Sequence, residues 1–185
     1  SLDIGRHSPV IYYDFENGFG VLMDHTREIF QGDLARIRQA CARIYYRDSI
    51  RSLDSDLGAV PPPALVVVDS IQKLPGSVEF KRSSIDRWLH RLEYLKKRGY
   101  HVLIVSEIGR AYYGNDSAYI GAFKETGEIE YSAACGINLL ENNNLVEVHI
   151  VKNRHRPRKG LISLLRRKDA WRFKEMQSEE RQEID

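Results

Sequence analysis

The sequence predicts an α/β fold: a mostly parallel sheet flanked by helices, followed by antiparallel strands toward the C-terminus. Three observations predict it. Ala64-Leu65-Val66-Val67-Val68 and Val102-Leu103-Ile104-Val105 are continuous apolar runs without alternation, the pattern of strands buried on both faces of a parallel sheet. Between them Ile85, Trp88, Leu89, Leu92 and Leu95 fall on one helical stripe, so strand, helix and strand form a βαβ unit with a right-handed crossover. Past residue 135 the apolar runs shorten and are divided by turn residues, Asn142-Asn143-Asn144 among them.

The elements follow in chain order. Val10–Tyr13, behind Pro9, is β-branched and aromatic and reads as a buried strand. It runs into the polar segment Asp14-Phe15-Glu16-Asn17-Gly18. Val21 to Phe30 carries Leu22, Thr26, Ile29 and Phe30 at helical spacing, and Leu34 to Ala42 is a second helix with Asp33 as N-cap. A strand is expected at Arg43 to Tyr46. Pro61-Pro62-Pro63 is a stiff connector into the strand ending at Asp69. Ser83 or Ser84 caps the next helix, which stops at Gly99. Ile108 to Phe123 lacks periodicity and reads as a long loop. A short helix at Glu128 to Ala134 precedes strands at Ile137–Leu140, Leu145–Val151, Leu161–Leu165 and Trp171–Phe173.

The chain has 185 residues, 42% hydrophobic and 29% charged. That length suits one domain, expected here at 1–175 with a polar tail at 176–185. The composition excludes collagen-like and wholly disordered classes. No apolar run approaches the ~20 residues of a membrane helix, and no signal-peptide pattern opens the chain. Cys41 and Cys135 stand far apart without CxxC spacing, which argues against a disulfide framework or a cysteine metal site. Reduced thiols in a cytoplasmic protein are the expectation. The net charge of +2 says little about partners, but its distribution is uneven. Residues 152–174 hold ten Lys or Arg against the single acid Asp169, a segment suited to phosphate groups.

Four signals sit at expected strand ends, where open α/β sheets bind ligands. Asp69, followed by Ser70, closes an apolar strand and could present a carboxylate to Mg²⁺ and phosphate. Glu16 could orient and deprotonate a water. Ser106 and Glu107 follow the strand Val102–Val105. Lys152 through Gly160 is a basic turn from which an arginine can reach a neighbouring subunit's phosphate. Taken singly, each is also compatible with an ordinary solvated strand end; their order and spacing carry the weight.

Val66-Val67-Val68-Asp69-Ser70-Ile71-Gln72 resembles the Walker B strand of the RecA-like ATPases, and Tyr12-Tyr13-Asp14-Phe15-Glu16 resembles their glutamate-bearing strand. Leu103 through Arg110 is similar to the next core strand. Phe123-Lys124-Glu125-Thr126-Gly127-Glu128-Ile129-Glu130 is similar to the central-loop segment of the DnaB-type replicative helicases. Ile150-Val151-Lys152-Asn153-Arg154 resembles their lysine-and-arginine hairpin. The resemblance covers roughly residues 8–175. It implies a RecA-like, doubly wound core using ATP and Mg²⁺, assembled as a ring, expected to be a hexamer, on single-stranded DNA. By the same resemblance Asp69 holds Mg²⁺ with Ser70 beside it, Glu16 activates water, and Lys152 and Arg154 act across the subunit interface. Glu107 occupies the γ-phosphate sensor position. Arg110 and Lys124, with the backbone near Glu125 and Gly127, contact DNA phosphates without reading sequence.

Two departures stand out. Glu107 replaces the family's usual glutamine, and an acid near a γ-phosphate is repulsive unless protonated or metal-bound. The phosphate-cradling motif GxxxxGK[ST] does not occur in these residues. In the family it lies just before the glutamate strand, so the sequence is expected to lack an N-terminal part. Two other readings remain: a RadA/KaiC-type RecA-like ATPase, and a non-catalytic nucleic-acid-binding or regulatory domain.

Overall fold

A computed structural model describes residues 8–50, 53–76, 79, 81–109, 127–142, 145–156, 160–166 and 173–176. In chain order the elements are β1 (Val10–Asp14), α1 (Phe19–Ile29), α2 (Leu34–Cys41), β2 (Ile44–Arg47), α3 (Leu53–Ala59), β3 (Leu65–Asp69), a 3₁₀ turn (Ile71–Lys73), α4 (Lys81–Lys97) and β4 (His101–Ile104). They continue with α5 (Glu128–Ser132), β5 (Cys135–Asn142), β6 (Leu145–Asn153), β7 (Gly160–Arg166) and β8 (Phe173–Glu175). The chain divides into two compact units, one carrying β1–β4 and the other β5–β8.

The first unit is a parallel sheet in the order β2-β1-β3-β4. The aliphatic runs form its centre: Ile11, Tyr13, Val66 and Val68 are fully buried on one face. The other face is only partly covered, since Val10, Tyr12, Leu65 and Val67 are half-buried. The expectation of strands buried on both faces therefore needs correcting, most of all at β4. Among the described residues β4 pairs only with β3, and Leu103 within it and Val105 just after it are exposed. An edge strand can be aliphatic without being enclosed.

The helices follow their amphipathic patterns. Asp33 caps α2, its carboxylate accepting the amides of Ala35 and Arg36 at 3.0 and 3.1 Å. α4 buries Ile85, Leu89, Leu92 and Leu95. It starts at Lys81, so Ser83 and Ser84 lie inside the helix and neither is its cap. Ser84 is instead buried against Gly76, where a Cβ would come within 2.4 Å of the Ser84 Cβ. α4 is followed by Gly99, whose φ of +89° suits only glycine readily.

α3 was not expected from periodicity, because Leu-Asp-Ser-Asp-Leu-Gly-Ala is short and polar. Tertiary contacts hold it. Leu53 and Leu57 are buried, and Asp56 accepts the Tyr13 hydroxyl and the Arg47 Nε, both at 2.8 Å. The buried Tyr100 hydroxyl donates to the carbonyls of Leu57 and Val60 at the end of α3, at 3.2 and 3.0 Å.

The second unit is an antiparallel meander, β5-β6-β7-β8. β5 and β6 pair from Asn142–Leu145 outward, with an irregularity between Gly136 and Ile137. The last described strand is Phe173–Glu175; Phe173 falls within the expected strand, and Trp171 and Arg172 are outside the described residues. Most of the expected loop at Ile108 to Phe123 is also outside them.

Candidate functional site

β1 and β3 are parallel neighbours with Asp14 opposite Asp69. Both strands therefore deliver their carboxylates to the same end of the sheet, the edge at which α/β folds bind ligands. The Phe15 amide donates to the Asp69 carbonyl at 2.7 Å and holds the two chain ends together. The peptide between Asp69 and Ser70 is cis.

Asp14 is 2% exposed, and the loop beyond it is built on its carboxylate. Its Oδ1 accepts the amides of Glu16 and Asn17 at 3.0 and 2.9 Å, a local turn that polar strand ends commonly make. Its Oδ2 accepts the Tyr46 hydroxyl at 3.3 Å. This turn positions Glu16 over β3. There the Ser70 hydroxyl donates to Glu16 Oε1 at 2.7 Å, and Lys73 Nζ stands 3.7 Å from Oε2. Both carboxylate oxygens of Glu16 are thus oriented by residues that closely follow Asp69.

Asp69 itself accepts the Tyr12 hydroxyl on Oδ2 at 3.1 Å. Burial pushes its carboxyl above the usual range, and the neighbouring negative charges of Asp14 and Glu16 push the same way; the Tyr12 hydroxyl opposes them. Burial and Asp69 hold the Tyr12 phenol above its ordinary value in turn. A charge disfavoured in this manner is one that a bound cation would relieve. Asp69 has the oxygen chemistry a hard dication takes. No three His, Cys, Asp or Glu side chains converge on a metal position among the described residues. Mg²⁺ is commonly held by one or two carboxylates plus phosphate oxygens and water.

The turn after β3 also reaches β4. The Ile71 amide donates to the Val105 carbonyl at 3.0 Å, and the buried Gln72 donates from Nε2 to Ser106 Oγ at 2.8 Å. Gln72 Oε1 accepts the Glu107 amide at 3.3 Å. Glu107 joins the edge through its backbone, and its side chain is exposed.

Lys152 and Arg154 belong to the second unit. Lys152 donates to the Glu130 carbonyl and Arg154 to the Tyr131 carbonyl, so both cations lie along α5. Asn153 shapes the turn that follows β6, its Oδ1 accepting the amides of His155 and Arg156 at 3.1 Å each. Gly127 lies in the turn before α5, whereas Arg110, Lys124 and Glu125 are outside the described residues.

The structure thus brings together Glu16, Asp69 and Ser70 from the expected set. It adds Asp14, Tyr12, Tyr46, Lys73 and Gln72, to which the sequence reading assigned no role. One signal was available for Tyr12 and Asp14: polar groups at the end of an otherwise apolar strand, close to Glu16. Tyr46 and Lys73 carried none, because only the parallel pairing and the 3₁₀ turn bring them in.

No protein-family model and no curated protein matches the chain. Solved structures do. The chain is similar to a solved ATPase domain, with 18% identity and a TM-score of 0.69 over 92% of this chain and 75% of that one. It is similar to a DnaB-like replicative helicase described with its interactions with primase, at 19% identity and a TM-score of 0.73. That match covers 92% of this chain but 52% of the helicase, so this chain spans about half its length. The RadB recombinase matches with 19% identity and a TM-score of 0.54, over 85% of this chain and 75% of the recombinase. At such identities the likeness concerns architecture, and the chain has the RecA-like α/β fold.

Proposed function

We propose that this chain is the ATP-hydrolysing core of a DnaB-like DNA helicase, coupling hydrolysis to translocation on single-stranded DNA as a hexameric ring in the cytoplasm. The observation that carries the reading is the hydrogen bond from Ser70 to Glu16 just beyond the ends of two adjacent parallel strands, where Asp14 lies opposite Asp69. The fold likeness to an ATPase domain and a replicative helicase supports it. No described helix is long and apolar enough to cross a membrane.

In this reading Asp69 would hold Mg²⁺, which would neutralise charge on the phosphates of ATP, and hydrolysis of the ATP phosphoanhydride drives movement. Glu16 accepts the proton of the attacking water at a carboxylate oxygen. Ser70 and Lys73 keep that carboxylate aimed, and Asp14 holds the loop carrying it. Lys152 and Arg154 stabilise phosphate charge on a neighbouring copy. Arg110, Lys124 and the backbone at Glu125 and Gly127 grip DNA phosphates. The phosphate-cradling loop has no counterpart motif in these residues.

Single-stranded-DNA-stimulated ATP turnover tests the reading. Glu16→Gln is expected to lower turnover by about 10²- to 10⁴-fold while nucleotide binding persists. Arg154→Ala is expected to abolish DNA-stimulated turnover while sparing nucleotide binding. Unchanged turnover in Glu16→Gln refutes the assignment. A wild-type chain that binds DNA but no Mg²⁺–ATP favours a non-catalytic nucleic-acid-binding domain, the reading suggested by the missing motif and by Glu107. The likeness to RadB and the Asp69-Ser70-Ile71-Gln72 segment favour a RadA/KaiC-type ATPase as the second reading, and absence of strand displacement alongside ATP turnover would select it.

A further inference from the structure

The outer face of α4 is distinct from the carboxylate site in composition and place. Residues 81–98 hold seven Lys or Arg (81, 82, 87, 91, 96, 97 and 98) against Asp86 and Glu93. The buried stripe of α4 takes the apolar side chains, so the charges collect opposite. Helical spacing puts Arg87, Arg91, Tyr94 and Arg98 in one row, and all four are exposed. With a rise of 1.5 Å per residue the row spans about 16 Å.

Two of these guanidiniums lie over aromatic rings: Arg91 is 5.0 Å from the Trp88 ring centre and Arg98 is 6.0 Å from that of Tyr94. Tyr94 is 60% exposed. Beside the row, a cleft of about 240 Å³ between α3 and α4 is lined by Leu53, Asp54, His90, Arg91, Tyr94 and Leu95. Leu53 and Leu95 are buried and offer it an apolar floor. His90 and Tyr94 add flat rings, and Asp54 pairs with Arg91 at 3.7 Å on the rim.

We propose that this face of α4 binds single-stranded nucleic acid. A base enters the cleft against Tyr94 and His90, and Arg87, Arg91 and Arg98 take backbone phosphates, with Arg91 leaving Asp54 for the stronger anion. Charge complementarity calls for a polyanion. The exposed rings decide which kind: every base has a face to stack, and stacking tolerates any sequence. An acidic peptide would use the arginines but leave Tyr94 and the cleft without a role. This surface does not depend on the catalytic reading, since it uses none of the residues assigned there.

The test is fluorescence anisotropy of a labelled 20-nucleotide single strand over a salt series, with the whole chain. Arg91→Gln with Arg98→Gln is expected to flatten the slope of log affinity against log salt by about 1.4, the loss of two single-strand phosphate contacts. Tyr94→Ser is expected to weaken binding about tenfold with the salt slope unchanged. All three positions are exposed, and melting curves matching wild type confirm that the variants fold. Wild-type affinity and slope in both variants overturn the proposal, including the case in which only Lys124→Ala weakens binding and the helicase reading survives. Binding of a polyglutamate peptide with no binding of the oligonucleotide also overturns it. Loss of ATP turnover in Glu16→Gln with DNA binding through α4 intact leaves this surface established, and the two readings separate.

Discussion

Replacing Tyr13 by phenylalanine tests how the site-bearing strand is anchored. Tyr13 is fully buried in β1, directly before Asp14, and its ring stacks on Phe15 at 6.2 Å. The substitution keeps the ring and leaves no cavity. It removes one hydroxyl, whose 2.8 Å hydrogen bond to Asp56 is charge-assisted. Bonds of that kind contribute about 1.5–3 kcal/mol. Asp56 retains Arg47 Nε at 2.8 Å and its side chain is 15% exposed, so partial compensation brings the expected loss to about 2 kcal/mol. For a chain of this size that lowers Tm by roughly 4–8 °C. Urea unfolding followed by circular dichroism reads it. Asp56→Ala with Tyr13→Phe is expected to cost about 1 kcal/mol less than the two single losses together, because both changes remove the Tyr13–Asp56 bond. The pH dependence has a definite sign. Burial and the bond to Asp56 hold the Tyr13 phenol above its ordinary value. Its contribution is therefore present below about pH 10, where an unfolded tyrosine is still protonated, and fades as pH rises further. A Tyr13→Phe variant within 0.5 kcal/mol of wild type, or strictly additive double-variant losses (both about the size of ordinary surface effects), would refute the anchoring role.

Further predictions concern the site and its support. Gly76→Ala drives a methyl group into Ser84 at the start of α4 and is expected to cost about 1–3 kcal/mol by urea titration; a neutral result would mean the turn before α4 yields freely. Asp69→Asn is expected to be more stable than wild type at neutral pH and no more stable in acid. The raised carboxyl of Asp69 means that wild-type stability declines as pH climbs from about 4, the unfolded value, through the folded one, and asparagine has no charge to desolvate. Equal pH profiles of the two melting curves would contradict the burial argument. Lys73→Met is expected to lower ATP turnover more than ATP affinity, since the Lys73 ammonium faces Glu16; a loss confined to affinity would place Lys73 on the nucleotide instead.

Much of the fold could be read without coordinates. β1, β3 and α4 follow from continuous aliphatic runs and a single helical stripe, since burial of apolar surface decides those elements wherever they pack. The cap at Asp33 and the stop at Gly99 are local chemistry. Asp69 and Glu16 were legible as carboxylates at strand ends; the turn expected from Lys152 onward begins later, since Lys152 still pairs within β6 and Arg154 follows it. What needed the tertiary structure was everything set by pairing across distance. α3 has no periodicity of its own and exists because Tyr13, Arg47 and Tyr100 hold its polar groups. β4 looks enclosed in sequence but sits at an edge among the described residues, because hydrophobicity alone does not tell how many neighbours a strand has. Lys73 and Tyr46 enter the site only through the parallel register and the 3₁₀ turn. The cleft beside Tyr94 arises where two helices far apart in the chain meet. Local composition and period were enough to place β1, β3 and α4 and to put polar groups at the strand ends. The tertiary structure alone decided which carboxylates share one edge and what holds each of them, because those contacts join residues up to 57 positions apart.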